Sequence, residues 1–379
     1  MKLREILDKF RQPDVGRRIL NKLIPKLERL NDRLGRKLNL MEVCGTHTVN
    51  ISQTGIRELL LPYVNLKSGP GCPVCVTDYG EIDWMLALAD IERVIITTFG
   101  DMMRVPGSGG SLMERRAAGA DVRVVYSGLD AVKTALNNPQ WEVVFLGVGF
   151  ETTVPTVAAS LQEAESMGIR NFSVFSAHKV VPPALRILLE DPEVNIDGLI
   201  LPGHVSVIIG RRAWDFIAEE YGCPSAVVGF EAVDILLGIN NLADQILDGK
   251  AEVANMYPRA VTEEGNKAAQ ELIKKYFNSA DAQWRGIGII PQSGLELADE
   301  FKKFDAKNKF QINPGKSREI RGCSCGDVLK GKIWPNQCPL FASVCTPMSP
   351  VGPCMVSSEG ACAAYYRFHR NLKEGDLGG

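Results

Sequence analysis

Six of the ten cysteines of this 379-residue chain fall within its last sixty residues, at Cys323, Cys325, Cys338, Cys345, Cys354 and Cys362. Thiolates are the soft ligands that select zinc or iron–sulfur clusters, and a Gly- and Pro-rich lobe can bring them together without a regular ligand-bearing helix. The paired Cys-x-x-Cys knuckles of a zinc ribbon are absent from this lobe, so its irregular spacing favours a four-iron cluster over zinc. Six is two more than either site needs, and the surplus points to redox chemistry beside the metal.

Three further constellations lie upstream. Leu38–Val43 runs into Cys44-Gly45-Thr46-His47, a thiol and an imidazole three residues apart at a strand-to-helix turn. A helix N-terminus and a nearby imidazolium both lower a thiol pKa, making Cys44 a candidate nucleophile or metal ligand with His47 as base or co-ligand. The competing reading is a buried Cys beside a helix-capping Thr. Gly69-Pro70-Gly71-Cys72-Pro73-Val74-Cys75 carries spacing suited to a reversible disulfide, to half of a zinc site, or to plain structure. Gly147-Val148-Gly149-Phe150-Glu151-Thr152-Thr153, Ser176-Ala177-His178-Lys179 and Leu201-Pro202-Gly203-His204 close three successive strands, and are expected to face one crevice with Glu151, Thr152, His178 and His204 as its lining. The glycines alone are a weak phosphate signal because the dinucleotide fingerprint is incomplete. Gly107-Ser108-Gly109-Gly110 reads as a flexible loop, and Cys223 as a structural thiol.

These residues need elements to hold them. Short apolar runs at Leu38–Val43, Val94–Thr98, Val122–Tyr126, Val143–Val148, Phe172–Ser176, Leu199–Leu201 and Ala226–Val228 predict strands, and Ile82–Ala89, Val154–Met167 and Ala213–Tyr221 predict helices between them. The alternation predicts an α/β fold: two similar parallel-sheet lobes plus a loop-rich C-terminal iron–sulfur lobe with helices. Asn137-Asn138-Pro139-Gln140 is the expected turn between lobes. The expected division is N-terminal helices over 1–37 packed on the cluster lobe, a first lobe with Cys44 and the Cys-x-x-Cys over 38–138, a second over 139–248, and a helical and cluster lobe over 249–379. The lead-in carries Leu3, Ile6, Leu7 and Phe10, then Ile19, Leu20, Leu23 and Leu27, with Pro13 and Pro25 interrupting the helical spacing. Its first forty residues hold twelve Lys/Arg against five Asp/Glu, read as solvated basic faces.

A hydrophobic content of 45% allows substantial cores, and a net charge of −2 gives no reason to expect nucleic-acid or membrane binding. The N-terminus lacks the apolar stretch of a secretion signal and no run is long enough to span a bilayer, so the expected location is the cytoplasm. Thiols stay reduced there, which favours metal binding or catalysis over a disulfide framework.

The Cys44–His47, Gly69–Cys75, Gly149–Thr153, Ser176–Lys179 and Leu201–His204 motifs, with Met355-Val356-Ser357-Ser358-Glu359-Gly360-Ala361-Cys362, together resemble the HypD-type hydrogenase maturation factors over nearly the whole chain. The resemblance implies assembly of the Fe(CN)2CO unit of [NiFe]-hydrogenases with a HypC-type chaperone, while a HypE-type protein brings cyanide as a thiocyanate. It implies that Cys44 holds transient iron carrying cyanide and carbonyl ligands, near His47, and that Cys72 and Cys75 form a redox-active dithiol. It also implies a C-terminal [4Fe-4S] cluster whose surroundings are similar to those of ferredoxin-thioredoxin reductase, where a disulfide lies beside the cluster. On that likeness Cys325, Cys338, Cys345 and Cys362 are the expected ligands, and Cys323 and Cys354 the accessory pair. The chain then reads as a redox-active assembly scaffold rather than a free-standing metabolic enzyme. A cluster-dependent thiol–disulfide reductase is the alternative, and a zinc-stabilised binding module the third reading.

Overall fold

The apolar runs fold as strands of two parallel sheets in the computed structural model, which describes residues 13–315, 317 and 321–370. The first sheet has the order β2-β1-β7-β8-β9, formed by Val64–Ser68, Leu38–Glu42, Gly198–Pro202, Ser225–Val228 and Val253–Asn255. The second has the order β4-β3-β5-β6, formed by Asp121–Val124, Val94–Thr98, Glu142–Gly147 and Phe172–Ser176. Strands β1, β3, β6 and β7 are buried along their whole length. Cover on both faces imposes that, so these strands place apolar residues on both sides of the sheet rather than on one side alone.

The strands are not divided at Asn137–Gln140. β5, beyond that turn, pairs with β3 before it, and β7 pairs with β1 rather than with β6. The chain therefore enters the first sheet, leaves to build the second and returns. A Pro/Asn-rich turn marks a helix-to-strand loop as readily as a boundary between lobes, so composition alone could not separate the two.

Two other expectations are corrected. The Pro13–Leu34 helix runs through Pro25, burying Leu23, Leu27 and Leu30 against the Ala232–Asp248 helix of the first sheet; Lys26 Nζ reaches Asn240 Oδ1 at 2.9 Å. Its packing is thus on a sheet-covering helix rather than on the cysteine lobe; Leu3, Ile6, Leu7 and Phe10 lie outside the described residues. The region expected as a helical and cluster lobe over 249–379 is not purely helical. It contributes β9 to the first sheet and, after the Lys267–Tyr276 helix, an antiparallel hairpin of β10 (Phe277–Trp284) and β11 (Gly288–Leu297). The hairpin lies at the end of β6, with Val180 N–H donating to Ser293 O at 2.9 Å and Leu295 N–H to His178 O at 3.3 Å. Among the described residues no helix is long and apolar enough to cross a membrane.

Candidate functional site

In an open parallel sheet, ligands bind beyond the carboxyl ends of the strands where the strand order reverses. In the first sheet that point lies between β1 and β7, and the residues just past those strands are Cys44 and His204. Cys44 is the N-cap of the Gly45–Gln53 helix, in extended backbone. Its N–H donates to Glu42 Oε2 at 3.1 Å, and Thr48 Oγ1 donates to Glu42 Oε1 at 2.6 Å. Glu42 ends the buried strand β1, and burial pushes its carboxyl up to about 7 against the Thr48 hydrogen bond. A carboxyl closing such a strand is the signal that could have singled it out.

The helix end does not make Cys44 acidic. Burial pushes its thiol up to about 12; the His47 backbone N–H opposes this, while Glu359 and Glu42 add to it. Desolvation outweighs one short helix. His47 is turned elsewhere: its Nε2 is 2.9 Å from Gly229 O, its ring stacks on Phe230 at 4.8 Å, and burial brings its pKa down to about 4. His204, exposed, stacks on Phe230 at 3.8 Å. The two imidazoles share one aromatic ring, so each is placed by Phe230, a residue the motifs did not single out.

Cys72 and Cys75 form a disulfide with their Cα atoms 5.2 Å apart. The four-residue Pro73–Val76 helix turn creates that spacing: Cys72 is its N-cap, Pro73 needs no N–H partner, and Cys75 N–H donates to Cys72 Sγ at 3.2 Å. The turn is laid against the end of β1. Gly45 N–H donates to Gly71 O at 3.0 Å, Gly69 N–H to Glu42 O at 2.8 Å, and a Cβ on Gly71 would strike the Cys44 backbone. Gly71 is therefore required for close approach of two chain segments.

All six C-terminal cysteines line one small cavity, walled also by Val328, Leu340, Phe341 and Met355. Cys323 is hydrogen-bonded to Cys325 and Cys354 to Cys362; each bond, with burial, pushes the thiols of Cys323 and Cys354 up. Cys345 Sγ accepts Val351 N–H at 3.3 Å. Among the described residues no three His, Cys, Asp or Glu side chains converge as ligands of a single ion would. The six cysteines instead line the walls of a small apolar hollow, an all-sulfur set of soft donors.

The same segment reaches Cys44. The Pro353–Val356 helix packs on the Pro73–Val76 turn, and the Ala361–Phe368 helix on the Gly45–Gln53 helix. Between them Thr46 Oγ1 donates to Glu359 Oε1 at 2.8 Å, a Cβ on Gly45 would lie 2.5 Å from Glu359 Cβ, and one on Gly360 would lie 2.9 Å from Cys354 Cα. The Met355–Cys362 stretch thus bridges the cysteine cavity, the disulfide and the Cys44 helix start.

Glu151, Thr152 and His178 sit elsewhere, past β5 and β6 of the second sheet, so the expected single crevice with His204 does not form. His178 lies over Gly147, whose Cβ would be 2.5 Å from its Cε1, with Nδ1 2.9 Å from Ser176 Oγ and its ring edge-on to Phe277. Ser176 Oγ donates to Leu295 O of the hairpin at 2.6 Å. Glu151 Oε1 accepts Val181 N–H at 2.8 Å, and burial pushes its carboxyl up to about 7. Thr152 is exposed.

Comparison with known proteins bears on what these thiols serve. The HypD family model, described as "Hydrogenase formation hypA family", matches residues 18–369. The hydrogenase maturation factor HypD of Escherichia coli (strain K12) is 44% identical over 369 residues, which cover 97% of this chain and 99% of that protein. The hydrogenase maturation factor HypD of Cupriavidus necator is 44% identical over 372 residues, 96% of this chain and 97% of that one. The hydrogenase expression/formation protein HupD of Azotobacter chroococcum is 41% identical over 371 residues, 96% and 97% respectively.

Proposed function

The chain belongs to the HypD family of hydrogenase maturation factors, and from that premise we propose that it is the thiol scaffold on which the Fe(CN)2CO unit of [NiFe]-hydrogenase is built. The observation that carries this reading is the continuity of three thiol sites: the six-cysteine cavity, the Cys72–Cys75 disulfide and Cys44, joined by the Met355–Cys362 stretch.

In this reading the iron is cargo, held between Cys44 and a thiolate of a HypC-type chaperone. Taking it up displaces the Cys44 proton, since only the thiolate binds metal. Glu42 fixes the backbone at Cys44, and Glu359 closes over the helix start beside it. A HypE-type protein offers a thiocyanate at the end of its chain. Cleaving its S–C bond to release cyanide takes two electrons, and oxidation of the Cys72/Cys75 dithiol to the disulfide supplies both. The partner sulfur leaves as thiolate, cyanide goes to iron, and the two dithiol protons are released. His204, exposed past β7, is the member of the expected cleft set that an incoming tail can reach; Thr152, though exposed, lies past β5 with buried Glu151, which accepts Val181 N–H, and buried His178 accepts the hairpin's Leu295 N–H at its carbonyl. We place this chemistry in the cytoplasm, where the dithiol can be kept reduced.

The cavity fits an iron–sulfur group: six thiols, apolar walls and a backbone N–H on the Cys345 sulfur make a soft, dry donor set. Cys325, Cys338, Cys345 and Cys362 would hold it, with Cys323 and Cys354 as the accessory pair. When bound, a [4Fe-4S] cluster supplies single electrons for restoring the dithiol. The rival reading, a free-standing thiol–disulfide reductase, would be favoured by turnover of a disulfide substrate without a chaperone partner.

Complementation of a strain lacking its own factor tests the proposal. Cys72→Ala is expected to abolish hydrogenase maturation while leaving bound iron and sulfide at the parent level. Normal maturation would remove the dithiol from the mechanism.

A further inference from the structure

Arg285 follows β10 at the hairpin turn and is 1% exposed, yet among the described residues neither of its terminal guanidinium nitrogens has a hydrogen-bond partner. Its Nε donates to Thr77 O at 2.8 Å, its backbone N–H donates to Val76 O at 2.9 Å, and its guanidinium lies 3.6 Å over the Tyr79 ring. A buried cation without an anionic partner is costly, because the desolvation of the charge is uncompensated. The face of Tyr79 offsets only part of that.

The neighbourhood shows where an anion would be. Gly286, at φ +71°, packs backbone to backbone against Gly326, the residue after Cys325; a Cβ on Gly326 would lie 2.5 Å from Gly286 O. This glycine pair seats the hairpin turn directly on the cysteine segment, and the Arg285 charge acts on both Cys323 and Cys354 of the cavity wall.

Resting on the iron–sulfur reading of that cavity, we infer that Arg285 is the buried counter-cation of the cysteine lobe, balancing the negative charge of a cluster held there by four thiolates and raising its reduction potential. Such a cluster is anionic and becomes more so when it gains an electron, so a fixed cation nearby favours the reduced form; net charge and burial are the levers that set cluster potentials. The Nε and backbone hydrogen bonds fasten the same charge to the segment just after Cys75. Arg285 is thus a positioning residue, shared between the cavity and the disulfide turn.

The test compares the full-length parent with Arg285→Lys and Arg285→Gln, purified without oxygen. Iron and sulfide are measured in each, and the cluster is titrated with dithionite and redox mediators while electron paramagnetic resonance follows its reduction. Arg285→Gln is expected to disfavour reduction at least tenfold, 59 mV for one electron, with Arg285→Lys recovering most of the shift. Loss of cluster from Arg285→Gln alone, with Arg285→Lys loaded, would equally support a charge requirement. A parent-like potential in Arg285→Gln, equal shifts in both variants, or loss of cluster from both would overturn the inference and leave Arg285 a packing residue. A parent that holds no iron or sulfide would overturn the iron–sulfur reading, and this inference with it.

Discussion

Both sheets carry small residues past neighbouring strand ends, at the strand-order reversal between β1 and β7 in the first sheet and past β5 and β6, beside the β3–β5 reversal, in the second, and they cover them differently. Past β1 and β7 the chain places Cys44 and His204, and the covering segment is the cysteine-rich one, tied down through Glu359. Past β5 and β6 it places Gly149, Glu151 and His178, and the cover is the β10–β11 hairpin, hydrogen-bonded at His178 and Val180 and stacked through Trp284 on Phe150 at 5.9 Å. The first is the place of the proposed thiol chemistry, and the second is a joint closed by the hairpin. Histidine and glutamate at a strand end are therefore not enough to mark a site; what covers them decides.

The sharpest way to break this contrast is at the matched glycines. Gly71→Ala drives a methyl into the Cys44 backbone, which cannot yield, and is expected to cost about 3 kcal/mol or more and to abolish maturation. Gly147→Ala meets the His178 ring, which can shift, and should cost about 1–3 kcal/mol while maturation persists at reduced temperature. Thermal denaturation alongside complementation separates the two; equal loss of maturation in both would dissolve the distinction between the crevices.

The histidines give a smaller, reciprocal effect. His204→Ala should lower maturation about tenfold, the equivalent of ~1.4 kcal/mol, with almost no change in melting temperature. His178→Ala should lower the melting temperature and spare maturation in whatever protein remains folded. Reversal of this pattern would return His178 to the functional side.

The smallest effect sharpens the second sheet alone. Glu151 holds its proton up to about 7 when folded against an ordinary 4.5, so its contribution to stability is full below 4.5 and is lost as pH rises through 7. His178, pushed by burial down to about 3 from an ordinary 6.5, contributes fully above 6.5 and loses that as pH falls toward 3. The two slopes oppose between 4.5 and 6.5. Replacing Glu151 with Gln leaves the histidine slope uncancelled, so stability relative to the parent should rise with pH by up to about 1.4 kcal/mol per unit between 4.5 and 7. Urea denaturation at half-unit intervals would show it, and a flat difference would mean that Glu151 is ionised in the folded chain.

Much of this was legible in the residues. Val94–Thr98 and Phe172–Ser176 are strands with the expected bounds, because a strand covered on both faces carries apolar residues on both of them, as Val94-Ile95-Ile96 and Val174-Phe175 do. Clustering of the six cysteines in one lobe likewise carried through to one cavity. Pairing was not legible: β7 returns to β1 across more than a hundred residues, and nothing local in Gly198–Pro202 distinguishes that partner from β6. The acidity expected of Cys44 failed for a similar reason, since the helix end is visible in sequence while the burial that outweighs it, and the Glu359 charge that adds to it, arise from tertiary packing. Pro25 was misread because the cost of a helix-interior proline, about 3 kcal/mol, is smaller than the stabilisation from burying Leu23, Leu27 and Leu30, about 1.5–3 kcal/mol each.

The central claim is that three contiguous thiol sites serve one assembly reaction. The most direct measurement is anaerobic purification of the chain alone and with a HypC-type partner, with iron and sulfide analysis and infrared spectroscopy over the cyanide and carbonyl stretches. About four irons and four sulfides alone, with additional iron and both kinds of band in the complex that vanish in Cys44→Ala, is the expected result. A complex that shows those bands undiminished without the Cys44 thiol, or a loaded protein with zinc and no sulfide, would contradict it.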